Sequence, residues 1–340
     1  MRAIGSVSPL LLVGPAWVGD MVMAASLVEV LRLRDPGRPV DVIAPPAALP
    51  IARMIRGVRR TIPLGLGHGE LGLLARWRAG RALREEGYSK AIILPRAFKA
   101  AIIPFAAGIP ERVGYKAELR SPLLTDARAD RDRKSARTID RFVALGLPEA
   151  APAAPAPRPR LYLPDGMADL AAGKFPLPGP GPVLALCPGA EYGPSKRWPA
   201  EKFASLAARA AAAGWHVRVV GSAKEAPAGA VIAAAAPGIE DLTGRTTLME
   251  AAAVLAAASV VVTNDSGLMH VASALDRRVV AVFGSSSEKM TPPTAPGARV
   301  ISRPLPCRPC MKRECPLGTL ACLEGIDARE VFDAAERIAR

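Results

Sequence analysis

Short apolar runs alternate along this chain with longer stretches in which apolar residues recur at helical spacing, a pattern typical of α/β proteins. We predict strands at Val7–Val13, Val40–Ile43, Arg59–Ile62, Ala91–Leu94, Val183–Cys187, His216–Val220, Val260–Thr263 and Val279–Phe283. We predict helices at Met21–Arg34, Ala47–Arg56, Leu71–Glu86, Ala200–Ala213, Leu248–Ala257 and Leu268–Leu275. The pattern therefore predicts that each half of the chain forms its own parallel sheet covered by helices.

A proline- and alanine-rich segment separates the two halves. Pro148–Pro159 has no apolar period and is typical of a stiff, partly extended linker. A second proline and glycine cluster, Pro176–Pro182, directly precedes a predicted strand. We place the boundary near residue 175, with one domain at 1–175 and the other at 176–340. Two doubly wound domains that face each other would bind a ligand in the cleft between them.

Composition narrows the class of protein. The chain has 340 residues, of which 50% are hydrophobic, so disorder and a small disulfide scaffold are excluded. No uninterrupted apolar run approaches the length of about 18 residues that a membrane-spanning helix needs. The apolar run near the N-terminus lacks a small-residue cleavage site, so we interpret it as the first strand of a cytosolic protein.

The net charge of +14 is concentrated in the first half of the chain. Up to Arg160 there are 26 Lys and Arg against 14 Asp and Glu, whereas the rest has 19 against 17. This asymmetry indicates an anionic partner, although a genomic preference for arginine on a solvated helix face is the alternative. The densest segment, Arg128–Arg141, contains Arg131, Arg133 and Lys134 but no interleaved aromatic residue, so nucleic acid is not expected as a partner.

Asp20 follows the first predicted strand in the segment Trp17–Asp20. Its carboxylate, at the mouth of the expected cleft, could act as a general base. The alternative is that Asp20 only caps the following helix.

A glycine-containing loop with a cationic tip follows the first strand of the second half. In Cys187–Pro199 the tip is Ser195, Lys196 and Arg197, and a helix begins after Pro199. Such a strand–loop–helix turn can bind an anion, with Lys196 countering phosphate charge. The glycine spacing matches neither a P-loop nor the dinucleotide fingerprint, and a solvated basic loop is the alternative.

Two further strand ends carry polar residues. Glu225 ends the segment Val220–Glu225, where an acidic side chain commonly accepts hydrogen bonds from ribose hydroxyls, or else lies free on the surface. The segment Thr263–His270 joins a β-branched strand to an apolar helix. Its helix start, which comprises Asp265, Ser266, Gly267 and Leu268, could hold a diphosphate through backbone N–H groups and the helix dipole. His270 would face the same pocket or serve as a structural histidine.

Four of the five cysteines cluster near the C-terminus, at Cys307, Cys310, Cys315 and Cys322. The first pair has metal-ligand spacing, but the second pair does not. A structural zinc site and free or redox-active thiols both remain open, and we predict no metal and no cofactor.

These motifs, in this order, resemble those of the ADP-heptose:lipopolysaccharide heptosyltransferase family. The resemblance covers nearly the whole chain and is weakest at about residues 96–180. The matching segments are Pro15–Met23, Cys187–Pro199, Gly221–Glu225, Asp241–Gly244, Thr263–His270 and Cys315–Gly318.

The resemblance implies a GT-B glycosyltransferase, with two Rossmann-like domains facing across a cleft, the acceptor in the first and the donor in the second. It implies an inverting, metal-independent single displacement in which Asp20 deprotonates the acceptor and Lys196 stabilises the departing ADP. Asp265 would then bind the transferred heptose and Glu225 the ribose. Ser195, Ser266–Leu268 and His270 would complete the donor site.

The acceptor implied by the resemblance is a phosphorylated, carboxylated lipid A inner core that already carries one heptose. Trp17, Arg131, Arg133 and Lys134 are its expected contacts, on a protein that associates peripherally with the cytoplasmic face of the inner membrane. Alternatives are addition of the first heptose, another sugar-nucleotide transferase of the same fold, and a non-catalytic protein that binds nucleotide sugars or a lipid surface.

Overall fold

Two parallel sheets of six strands each form the framework of the computed structural model, which describes residues 7–66, 70–131, 133, 135–151 and 155–340. The chain divides into one unit that ends at Tyr162 and a second that runs from Leu163 to Arg340. Lys134, one of the expected acceptor contacts, lies outside the described residues.

The first unit alternates strands with helices over most of its length. Its strands are β1 (Leu10–Val13), β2 (Val40–Ala44), β3 (Val58–Pro63), β4 (Lys90–Ile93), β5 (Glu111–Tyr115) and β6 (Asp126–Arg128). Its helices are α1 (Val18–Arg34), α2 (Leu49–Arg53), α3 (Leu73–Ala82), α4 (Phe98–Ala106) and α5 (Thr138–Gly146).

The second unit repeats the same alternation. Its strands are β7 (Val183–Cys187), β8 (His216–Val219), β9 (Glu240–Asp241), β10 (Val260–Asn264), β11 (Arg278–Phe283) and β12 (Arg299–Ser302). Its helices are α6 (Met167–Lys174), α7 (Ala200–Ala212), α8 (Ala226–Ala233), α9 (Leu248–Ala256), α10 (Gly267–Ala274), α11 (Ala321–Glu324) and α12 (Ala328–Ala339).

Both sheets have the strand order of a Rossmann fold. The first runs β3-β2-β1-β4-β5-β6 and the second β12-β11-β10-β7-β8-β9, all parallel. In each sheet the first strand therefore lies beside the fourth, at the point where the order reverses. Ligands of such sheets bind at the carboxyl ends of these two strands, so the topology selects β1 and β4 in one unit and β7 and β10 in the other.

The central strands are buried because helices cover both faces of a parallel sheet. All four residues of β1 and all five of β7 and β10 are buried. In the second unit, the core on the side of α7 and α12 is built around Trp198, whose ring lies 4.9 Å from that of Phe203, edge to face.

The structure divides the chain between Tyr162 and Leu163, whereas the sequence predicted a boundary near residue 175. Helix α6 therefore belongs to the second unit, where it packs on α9. Lys174 Nζ at the end of α6 donates to Glu250 Oε1 over 2.8 Å. Glu250 also closes a capping box with Thr247 at the start of α9, so one side chain ties two helices together.

Two predicted helices of the first unit are shorter than expected. Ala47–Arg56 contains only α2 and a preceding 3₁₀ turn at Pro46–Ala48, because prolines at its start remove N–H donors. Leu71–Glu86 is reduced to α3 and a separate 3₁₀ turn that ends at Gly87, which adopts a positive φ of 68°.

Candidate functional site

In the second unit, the cationic loop after β7 and the polar segment after β10 lie side by side. The two strands are adjacent in the sheet, with Cys187 opposite Thr263. The Asn264 side chain bridges the two segments, since its Nδ2 donates to Pro188 O over 2.7 Å and its Oδ1 accepts from Trp198 N over 3.0 Å. One buried amide therefore fixes both ends of the loop to β10.

The tip of the loop places Lys196 against Asp265. Lys196 Nζ lies 2.5 Å from Asp265 Oδ2, and Ser286 Oγ donates to the same oxygen over 2.5 Å. The Asp265 side chain is 4% exposed and that of Lys196 15%. Lys196 also lies 5.0 Å above the centre of the Tyr192 ring. The ammonium group is thus held at the carboxyl edge of the sheet by one carboxylate and one aromatic face.

Ser195 lies inside the protein instead of at the surface of the loop. Its Oγ donates to Lys312 O over 2.5 Å and lies 2.9 Å from Ser285 Oγ. The chain packs closely here, because a Cβ on Gly193 would stand 2.4 Å from Arg313 O. The cysteine-rich segment therefore supports the loop from beneath, and the Ser195 hydroxyl holds this contact. Its direct contact with a donor stays a prediction.

Helix α10 begins directly beside the Lys196–Asp265 pair. Ser266 is its N-cap residue and makes no side-chain cap bond within the described part of the chain. The first N–H groups of the helix belong to Gly267 and Leu268, and such groups with the positive end of the helix dipole attract anions. An ammonium group and a helix N-terminus thus lie side by side at this edge of the sheet.

His270 lies buried on the next turn of α10. Burial, against the opposing effect of Asp265 and with a smaller contribution from Lys196, lowers the pKa of its imidazole to about 4. Its Nδ1 has no hydrogen-bond partner among the described residues. The imidazole is therefore neutral at pH 7 and lies close enough to the ion pair to sense both charges, as a neighbour of the site.

Glu225 sits at the carboxyl end of β8, across from the start of the cationic loop. Its Oε2 accepts from Ser222 N over 2.8 Å, which completes a capping box at the following turn. A Cβ on Gly189 would stand 2.8 Å from Glu225 Cδ, so the Glu225 side chain packs closely against the start of the loop. Glu225 also raises the pKa of the Cys187 thiol, second to burial. Capping alone thus accounts for one carboxylate oxygen, and the ribose contact stays a prediction.

In the first unit, Asp20 lies in the first turn of α1 at the carboxyl end of β1. The N-cap residue of α1 is Trp17, and Asp20 is the third residue of the helix. Whether Asp20 serves as a base or as a cap stays a prediction. A carboxylate in the first turn still interacts favourably with the helix dipole. Trp17 is 36% exposed beside it. The Asp20 carboxylate raises the pKa of Arg141, although burial lowers that pKa more strongly.

Arginines from further segments of the chain gather at this edge. Arg96 follows β4 and Arg141 lies in α5, and both pair with the buried carboxylate of Asp130, Arg141 at 2.7 Å. Arg133 lowers the pKa of Arg96, second to burial. Arg133 was among the predicted contacts, whereas the sequence signal for Arg96 was only its position just past a strand end.

Arg120 is fully buried, and among the described residues it forms no ion pair with a carboxylate. Its Nε donates to Tyr115 O over 2.9 Å and its Nη1 to Pro95 O, so it spans the ends of β4 and β5. Its Nη2 has no partner among the described residues. Burial and, to a smaller extent, the positive charge of Arg96 lower the pKa of Arg120 to about 10. A buried cation of this kind is costly unless an anion joins it.

The predicted basic segment is less uniform than its composition indicates. Arg128 is buried and pairs with Asp126, and Arg137 pairs with Asp140. Arg131 and Arg133 are exposed in the turns before α5. The segment is therefore no continuous helix face, and two of its arginines stabilise the unit.

The cysteines are free thiols, with Cys322 buried and Cys307 exposed. Backbone N–H groups, led by that of Leu320, lower the pKa of Cys315. Among the described residues, no three His, Cys, Asp or Glu side chains are grouped so that they could hold a metal ion. In the same part of the chain, no helix is long and apolar enough to cross a membrane.

Known proteins resemble this chain over most of its length. The family model for glycosyltransferase family 9 (heptosyltransferase) matches residues 76–321. Lipopolysaccharide heptosyltransferase 2 of Salmonella typhimurium is 43% identical over 86% of this chain and 87% of its own. Lipooligosaccharide heptosyltransferase 2 of Haemophilus influenzae is 40% identical over 86% and 88%. The solved structure of E. coli ADP-heptose lps heptosyltransferase II has a TM-score of 0.86 and 35% identity, and the match covers 97% of this chain and 98% of that one.

Proposed function

The chain belongs to glycosyltransferase family 9, the heptosyltransferases, and from that membership we propose that it transfers heptose from ADP-heptose to the lipopolysaccharide inner core. Within the family, the relatives that are 40–43% identical over most of the chain are all named heptosyltransferase 2. We therefore propose that the acceptor already carries its first heptose.

One observation supports the donor site above all others: Lys196, Asp265 and the start of α10 meet at the topological switch point of the second sheet. ADP leaves as a multiply charged anion. An ammonium group and helix N–H groups stabilise that charge more as it develops, and groups of this type contribute on the order of 3–4 kcal/mol each. Asp265, which holds Lys196 in position, is proposed to accept hydrogen bonds from the transferred heptose.

The proposed reaction is a single displacement that inverts the anomeric centre. Asp20 takes the proton from an acceptor hydroxyl, the oxygen of that hydroxyl bonds to the anomeric carbon, and the bond from that carbon to ADP breaks. The neutral His270 does not compete for the proton at pH 7, because its pKa is about 4. Glu225 Oε2 takes part in the capping box, and we propose that the other carboxylate oxygen, Oε1, accepts a hydrogen bond from a ribose hydroxyl.

The cationic groups in the donor site support the proposal that the reaction needs no metal ion. Lys196 and the start of α10 supply the positive charge that a divalent cation supplies in other nucleotide-sugar enzymes. We therefore propose that turnover needs no added Mg²⁺ or Mn²⁺.

The acceptor is proposed to bind the first unit through its phosphate and carboxylate groups. Arg96 lies at this edge with its side chain 29% exposed, and it is close enough to the buried Arg120 to lower the pKa of that residue. Trp17, Arg131 and Arg133 are exposed at or near the same edge and remain proposed contacts, with Lys134. Because the acceptor is a lipid, we propose that the protein acts at the cytoplasmic face of the inner membrane.

An assay that measures ADP formed by the purified protein tests this function. We expect ADP to accumulate only when ADP-heptose and an inner-core acceptor are both present, and EDTA to leave the rate unchanged. A non-catalytic binding protein would bind ADP-heptose without releasing ADP. Faster turnover with a different nucleotide sugar would identify another transferase of this fold, and EDTA inhibition reversed by Mg²⁺ would overturn metal independence.

A further inference from the structure

Helix α3 in the first unit turns its apolar residues towards solvent. Leu73, Leu74 and Trp77 are 46%, 60% and 43% exposed, whereas the buried positions of the helix are Arg76 and Gly80. Leu71, just before the helix, is also exposed. An amphipathic helix of a protein in water normally buries the opposite face.

Close packing explains the reversed face. A Cβ on Gly80 would stand 2.4 Å from Ile103 O, so α3 lies directly on α4 through its small residue. Arg76 is kept inside by bonds from Nε to Leu71 O and from Nη2 to Glu70 O, and burial lowers its pKa. With these groups fixed inwards, the leucines and the tryptophan have no position except the outer surface.

Helix α4 extends the apolar surface. Phe98 and Phe105 are 37% and 40% exposed, and the Phe105 ring lies 6.3 Å from that of Trp77. The α3–α4 surface therefore consists of six apolar side chains: Leu71, Leu73, Leu74, Trp77, Phe98 and Phe105. An apolar surface of this extent on a protein in water marks an interaction site.

Basic residues border the α3–α4 surface. Arg78 and Arg81 are exposed on α3, and Arg84 follows the helix. Helix α3 contains no acidic residue. Lys99, at the start of α4, keeps its ammonium group exposed while it donates to Glu70 O.

We propose that the α3–α4 surface docks on an anionic phospholipid bilayer. Leucine and aromatic side chains enter the boundary between headgroups and acyl chains, Trp prefers that boundary, and arginines bind the phosphates around it. A second copy of this chain fits less well, because a two-fold contact through α3 brings Arg78 and Arg81 near their own copies. The inference rests on the proposed function only in that a lipid acceptor gives docking a purpose.

Sedimentation with vesicles tests the docking without any heptose transfer. We expect wild-type protein to bind vesicles of phosphatidylethanolamine and phosphatidylglycerol, and to bind pure phosphatidylcholine at least tenfold more weakly. Leu74→Gln with Trp77→Gln should reduce binding at least tenfold, and Arg78→Gln with Arg81→Gln roughly tenfold at low salt. Leu33→Gln is the matched control, since Leu33 is 62% exposed on α1 of the same unit, and it should bind like wild type.

Fluorescence locates the contact on the surface itself. Lipids with brominated acyl chains should quench tryptophan emission of wild type and of Trp17→Phe, but not of Trp77→Phe. Thermal unfolding of each variant checks that it is folded, and all substituted side chains are exposed.

Three results would overturn the inference: no vesicle binding by wild type, equal binding by the α3 variants, or a dimer that the α3 substitutions dissociate. Vesicle binding without ADP release would instead overturn the proposed function and leave the docking surface in place. A wild-type protein that forms ADP but does not bind vesicles would support the proposed function and overturn the docking surface.

Discussion

At the scale of single residues, Asp20 carries the proposed base and can be separated from donor binding. Asp20→Asn should lower kcat by about 10²–10⁴-fold, because a general base contributes a factor of that size. The affinity for ADP, measured by calorimetry, should stay within twofold of wild type, since Asp20 belongs to the first unit and Lys196 to the second.

Asp35→Asn is the matched control for Asp20. Asp35 follows the last turn of the same helix, where its backbone N–H donates to Leu31 O, and its substitution should leave turnover unchanged. An Asp20→Asn enzyme with more than half of wild-type activity would show that this carboxylate serves only the helix dipole and its neighbour Arg141.

Lys196 should affect binding and chemistry together. Lys196→Ala removes the cation 2.5 Å from Asp265, so ADP should bind more weakly and kcat should also fall. Removal of one such donor typically costs about 10²–10³-fold in kcat. Arg329→Ala removes an equal charge from a side chain of α12 that is 75% exposed, and it should change neither quantity. Unchanged ADP affinity with unchanged turnover would exclude this loop as the diphosphate site.

His270 gives the second unit a specific sensitivity to acid. The pKa of His270 is about 4 in the folded protein and 6.5 without burial. Between these two pH values the unfolded chain binds a proton at His270 and the folded chain does not. Stability is therefore full above pH 6.5 and falls as the pH approaches 4, by up to about 3 kcal/mol.

Urea unfolding of wild type and His270→Gln between pH 7 and pH 4.5 measures this effect. The free energy of unfolding of His270→Gln should fall less steeply with acid than that of wild type. Two curves of the same slope would show that His270 is not buried in its neutral form.

At the scale of elements, the loop between β7 and α7 depends on a glycine that lets it approach the C-terminal segment. Gly193 has a φ of 157°, and a Cβ there would stand 2.4 Å from Arg313 O. Gly193→Ala should destabilise the protein by about 1–3 kcal/mol and weaken ADP binding, because the loop that carries Lys196 must move.

Gly173→Ala is the matched control for Gly193. Gly173 lies in α6 with no atom within 4 Å of an added Cβ, so alanine should raise stability by about 1 kcal/mol and leave ADP binding unchanged. Equal thermal stability of Gly193→Ala and wild type would mean that the loop has room at this position.

The elements that the sequence predicted best are the buried strands of the second unit. β7 matches its predicted bounds, and β8 and β10 differ by one residue, because β-branched runs between polar ends have few other structures available. β9 is two acidic residues long and carries no apolar period. α4 is nearly all apolar and contains Pro104, so it shows no helical alternation either.

The candidate site was partly predictable for a related reason. Residues just past strand ends, such as Asp20, Glu225 and Asp265, follow from the parallel-sheet pattern alone. The contact between Lys196 and Asp265 depends on β7 lying beside β10, which sequence spacing does not encode. Arg120 had no local signal in the sequence, since what distinguishes it is burial with no ion-pair partner among the residues that the structure describes.

At the scale of the whole molecule, two Rossmann-like units with the same strand order carry different chemistry at corresponding edges. The edge of the first unit combines Asp20 with the arginines Arg96, Arg120 and Arg141. The edge of the second combines one lysine with a helix N-terminus. The excess of positive charge before Arg160 thus lies in the unit proposed to bind the anionic lipid acceptor.

The account depends most on which acceptor receives the heptose. Purified protein should be given ADP-heptose and two defined inner-core acceptors, one with no heptose and one with a single heptose, and the products weighed by mass spectrometry. We predict that the single-heptose acceptor gains the mass of one heptose and the heptose-free acceptor gains none. Transfer to the heptose-free acceptor alone, or to neither, would contradict the account.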